Sequence, residues 1–122
     1  MTKHQHLPIT PEANNYRIAI TWKYGQPHRH YIDTVYGWEL FPGQYYEDAW
    51  DFYNGYALVV ARGRFFHIDW RGKVAYRWRF SDASLAPLVD GTVRVQHPRA
   101  VGWSLFHIPT GTFVTNPPLR SR

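Results

Sequence analysis

The chain has 122 residues, of which 44% are hydrophobic and 18% aromatic, with no cysteine and a net charge of +5. That length suits one domain with a modest core. Without cysteine there is no disulfide, thiolate metal site or catalytic thiol, so stability has to come from packed Trp, Tyr and Phe.

Residues 1–15 are polar, carry Pro8 and Pro11, and read as an N-terminal arm. They lack the apolar centre of a signal peptide, and no stretch approaches the ~18 apolar residues of a membrane helix, so a cytoplasmic location is expected. If Met1 is removed, the new amino terminus followed by Lys3 and His4 has the donor order that chelates Cu(II) or Ni(II); an accidental histidine in a tail is the simpler reading.

A single β domain is expected over residues 16–116. Tyr16–Tyr24 alternates Tyr16, Ile18, Ile20, Trp22 and Tyr24 with smaller or charged residues, which predicts a strand with one apolar face. Gly25-Gln26-Pro27-His28 reads as a turn, followed by strands at about residues 30–35 and 37–40. His28 and His30 could share an ion from one strand face, but no cysteine or carboxylate completes the set, and no metal or cofactor is expected. Tyr45–Tyr53, with Glu47, Asp48 and Asp51 among aromatics, reads as a helical turn or an irregular loop. Three runs then follow between Gly turns: Tyr56–Ala61, Phe65–Asp69 and Lys73–Phe80. Further strands are expected at Thr92–Gln96, Trp103–Ile108 and Thr112–Thr115, before a short basic tail at residues 117–122. The predicted core comprises Ile18, Ile20, Trp22, Ile32, Leu58, Val60, Phe66, Ile68, Val74, Tyr76, Trp78, Val93, Val95, Leu105 and Ile108, with Trp22 and Trp78 foremost.

Parts of the central unit recur. His67-Ile68-Asp69 echoes Tyr31-Ile32-Asp33 before it and His107-Ile108-Pro109 after it, while Asp48-Ala49 echoes Asp82-Ala83. Ala57-Leu58-Val59 similarly matches Val93-Arg94-Val95. A period of roughly 35–40 residues belongs to repeat architectures. Tyr46, Asp48, Ala49, Phe52, Gly55, Ala57, Val59, Gly63, Ile68, Asp69, Gly72, Lys73 and Val74 together resemble the unit of the bacterial WG-repeat family. The Trp-Gly dipeptide is absent, with Phe65-Phe66 in its place. The resemblance implies an all-β repeat fold used for protein interaction, without shared catalytic chemistry. The expected fold is thus an all-β antiparallel meander of about three degenerate units, forming a small barrel or a strongly twisted sheet.

The charge is concentrated. Residues 62–79 hold Arg62, Arg64, Arg71, Lys73, Arg77 and Arg79 against Asp69 alone, a balance of +5 that matches the whole chain's excess. Arg62, Arg64, Lys73, Arg77, Arg79 and Trp70 form the candidate binding surface, since Arg and Trp are enriched at binding hot spots. The first expectation is a non-catalytic module, such as an inhibitor, immunity protein or adaptor, docking an acidic protein partner. The alternative is a nucleic-acid-binding protein using the basic run Lys73–Arg79, with phosphate contacts and base stacking. Exposed strand edges give a route to a homodimer. A His67–Asp69 dyad could orient a base, but no serine sits in a nucleophile context, so no enzyme is expected. In the turn-entry reading, Asp69 instead bonds local backbone amides.

Overall fold

A computed structural model describes residues 15–88 and 90–115. The N-terminal arm with His4 and the basic tail therefore lie outside the described residues. Within them the chain is all-β, with no helix and nine strands. These are β1 (Tyr16–Lys23), β2 (Gln26–Asp33), β3 (Asp48–Tyr53), β4 (Tyr56–Ala61), β5 (Arg64–Asp69), β6 (Asp82–Ala83), β7 (Thr92–Gln96), β8 (Ser104–His107) and β9 (Thr112–Phe113). All pairings are antiparallel, in three sheets ordered β1-β2, β3-β4-β5 and β6-β7-β8-β9. The sheets do not close into a barrel; the fold is a twisted meander.

Each unit is built on a hairpin. Three of the connections are two-residue turns whose central residues both have positive φ: Tyr24-Gly25, Asn54-Gly55 and Arg62-Gly63. This is the mirror-image turn whose twist matches that of paired strands. The first turn therefore lies one position earlier than the sequence suggests, and Gln26 and Pro27 already belong to β2.

Pairing registers define the equivalences between units. Tyr16 opposes Asp33, Tyr56 opposes Asp69, and Thr92 opposes His107. Leu40, Ala75 and Val114 donate their amides to Tyr31, His67 and Leu105 in turn. The third-unit counterpart of His67-Ile68-Asp69 is thus Leu105-Phe106-His107, two residues earlier than the motif match suggests. Adjacent units are joined by bridges at Arg29–Tyr46 and Phe65–Phe80.

Two expected elements differ. Tyr45–Tyr53 is neither a helical turn nor a loop: most of it is β3, with a register shift between Ala49 and Phe52. Lys73–Phe80 is not a continuous strand. Its β-bridges to β5 are confined to Ile68–Val74 and Phe65–Phe80, so six steps of chain face three and the segment bows outward.

The core is a row of rings. Tyr31 packs on Phe41 and Phe52 at centroid distances of 5.7 and 5.2 Å; further along, Phe106 packs on Tyr76, Phe80 and Phe113 at 4.7, 5.1 and 5.1 Å. β4 is buried on both faces between them. Of the predicted core, Leu58, Val60, Phe66, Ile68, Tyr76, Val93, Val95 and Ile108 are buried. Ile18, Ile32, Trp78 and Leu105 are partly buried. Ile20, Trp22 and Val74 are exposed, Trp22 by 70%. The physical reason is that the β1–β2 tip extends past its neighbours, whereas Val60, the counterpart of Ile20, is covered by β3.

Candidate functional site

Five of the six predicted binding residues separate into two groups along β5. Arg62 lies in the β4–β5 turn and Arg64 opens β5, and with Arg79, Ala61 and Phe66 they line a cleft of about 370 Å³. Lys73 and Trp70 lie beyond Asp69 at the far end of β5, roughly 17 Å away at ~3.4 Å per residue. Arg77 sits on the outward bow between them. The structure therefore brings together Arg62, Arg64 and Arg79, and does not bring Lys73 or Trp70 to the same place.

The cleft owes its shape to local chemistry. Arg62 adopts positive φ to close the two-residue turn, and the Glu47 carboxylate accepts the amides of Arg62 and Gly63 at 2.7 and 3.1 Å. Glu47 is thus a backbone clasp. Arg79 donates to the carbonyl of Trp78 at 3.0 Å while its guanidinium lies 4.1 Å from the Phe66 ring centroid. Arg77 stacks similarly over Trp78 at 4.9 Å. Among the described residues the only ion pair is Arg29–Asp48, at 3.7 Å. Arg62, Arg64, Arg77 and Arg79 are exposed residues, and none of them is ion-paired to a carboxylate among the described residues.

The acidic motif residues are engaged with backbone. Asp33 Oδ1 accepts the amides of Val35 and Tyr36, and Asp69 Oδ1 those of Arg71 and Lys73. This is the turn-entry role, repeated in two units. His67 is buried, and its Nδ1 bonds the Tyr76 hydroxyl at 2.6 Å, so it forms no dyad with Asp69. Burial holds the His67 imidazole down at about 4. His107 Nδ1 lies 2.7 Å from the Thr110 hydroxyl.

His28 and His30 share a face of β2, yet their surroundings differ. His28 Nδ1 is 3.2 Å from the Gln26 carbonyl, whereas His30 packs 4.9 Å from the Tyr45 ring with a buried, unbonded Nδ1. Tyr45 in turn donates to Glu39 at 2.7 Å, and this bond, with the Gly43 amide, lowers the Glu39 pKa. Among the described residues no three His, Asp or Glu side chains gather as a metal-binding group.

Sequence reasoning missed the participation of Phe66 and Glu47 in the basic cleft. Alternation alone places Phe66 in the core, and only the turn register shows that Glu47 reaches Arg62. No helix among the described residues is long and apolar enough to cross a membrane. Comparison with known proteins finds no matching family model, curated protein or solved structure.

Proposed function

We propose that this protein is a non-catalytic, WG-repeat-like module that docks an acidic surface of another protein through the cleft of Arg62, Arg64 and Arg79. The observation that carries the reading is that Arg62, Arg64 and Arg79, none of them ion-paired to a carboxylate among the described residues, line one cleft together with Phe66. Arg in such a setting offers planar, multiply bonding donors that match carboxylates, and it keeps its charge when water is excluded. Stacking on Phe66 and bonding to backbone hold Arg79 in place before binding, which reduces the ordering cost.

The nucleic-acid alternative draws less support. Base stacking requires open ring faces. Phe66 is only 6% exposed and lies under Arg79, while Trp78 is partly buried against Phe113 and lies under Arg77. A phosphate backbone could meet these arginines, but the rings are already occupied.

The test is a pull-down from lysate with the full chain and with Arg62→Gln/Arg64→Glu, each with and without nuclease. The reading expects a protein that survives nuclease and is lost from the variant. Nucleic acid released by nuclease, or a protein equally retained by the variant, would overturn it.

A further inference from the structure

The second and third units share a feature that the first does not. In each, the outer edge of the leading hairpin strand is covered: β3 pairs with β4, and β6 with β7. Strand β1 occupies the equivalent place in the first unit, and among the described residues it pairs only with β2.

The register shows what that edge presents. A two-residue turn makes Lys23 and Gln26 the hydrogen-bonded pair nearest the turn, and bonded and non-bonded pairs then alternate. Thr21, Ala19 and Arg17 therefore bond inward to β2. The amides and carbonyls of Ile18, Ile20 and Trp22 point outward. Pro27 fits this phase, because it opposes Trp22 at a position that needs no inward amide. Side-chain exposure agrees: Ile20 is 59% exposed, whereas its counterpart Val60, under β3, is 8% exposed.

We propose that the β1 edge is a second docking site, which takes an extended acidic and aromatic segment of another protein as an added strand. Two observations select this occupant. The chain's own covering strands are both acidic, and the longer one is aromatic as well: β3 is Asp-Ala-Trp-Asp-Phe-Tyr, and β6 is Asp-Ala. The charged side chains of β1 are Arg17 and Lys23, both basic. A second copy paired symmetrically about Ile20 would set Arg17 opposite Lys23, a repulsive cross-strand pair. An acidic strand meets the same two charges favourably.

The probe is a free peptide with the sequence of residues 47–54, titrated into the isotopically labelled full chain and followed by amide NMR and hydrogen exchange. Saturable shifts centred on Ile18, Ile20 and Trp22 are expected, with exchange at those amides slowed at least tenfold. A fully N-methylated peptide, which has no strand donors, should produce neither effect. The Arg62→Gln/Arg64→Glu variant should capture the peptide normally, so this site stands or falls apart from the arginine cleft. Failure to saturate would overturn the proposal. So would protection of the three amides in the dilute free chain, which means that residues 1–14 already fill the edge. Protection that rises with protein concentration alone would assign the edge to a second copy and overturn it equally.

Discussion

His67 is a base that folding keeps neutral. Its imidazole is 3% exposed, bonded to the Tyr76 hydroxyl, and held at about 4 by burial, against an ordinary value near 6.5. Between those values the unfolded chain binds a proton that the folded chain does not, so stability rises with pH. The contribution is complete above about pH 6.5 and is lost as pH falls toward 4, on the order of 3 kcal/mol over that window. Melting temperature should fall steeply from pH 6.5 to 4.5, and His67→Gln should flatten that part of the profile. The two large rings at opposite extremes of burial give a second test. Phe106→Ala removes a fully buried ring and should cost about 3–5 kcal/mol in urea unfolding. Trp22→Ala should cost under about 1 kcal/mol, because the ring is mostly in water already. The sequence misleads at Trp22 because alternation reports which residues share a face. It does not report whether anything covers that face.

Turns act as the joints between units. Gly37, Gly72 and Gly111 occupy equivalent turns, all with positive φ. A Cβ on Gly72 would meet the Phe41 ring at 2.6 Å, and one on Gly111 would meet the Tyr76 Cβ at 3.1 Å. Phe41 and Tyr76 are themselves equivalent, each following the residue that bonds back to its unit's second strand. An aromatic of one unit thus packs on the turn glycine of the next. Gly72→Ala combines left-handed strain with overpacking and should cost about 3 kcal/mol. Gly25→Ala has the same backbone sign and nothing within 4 Å, so it should cost about 1 kcal/mol. Adding Phe41→Ala to Gly72→Ala should recover part of the loss, giving a measurable coupling in a double-mutant cycle. The glycine turns were legible in the sequence because Gly is the residue that tolerates positive φ. The ring above Gly72 was not, since Phe41 lies 31 positions earlier and meets it only after three strands are placed.

At the scale of the molecule, hairpins repeat while their surroundings change. The all-β class, the repeat and the concentration of charge in residues 62–79 could all be read from alternation and composition. The division of that charge could not. Arg62, Arg64 and Arg79 line one cleft because the Lys73–Phe80 segment bows out and returns to β5 at Phe65–Phe80, a path that strand periodicity treats as straight. Alternation within one basic segment groups Lys73 and Trp70 with the arginines, and the length of β5 separates them from Arg62 and Arg64. The proposed docking face is the arginine cleft. Hydrogen-exchange mass spectrometry on the full chain, alone and with the protein it captures, tests this most directly. Protection confined to residues 61–66 and 76–80, weakening as salt is raised, is the predicted result. Unchanged exchange in those segments, with protection elsewhere on the molecule, would contradict it.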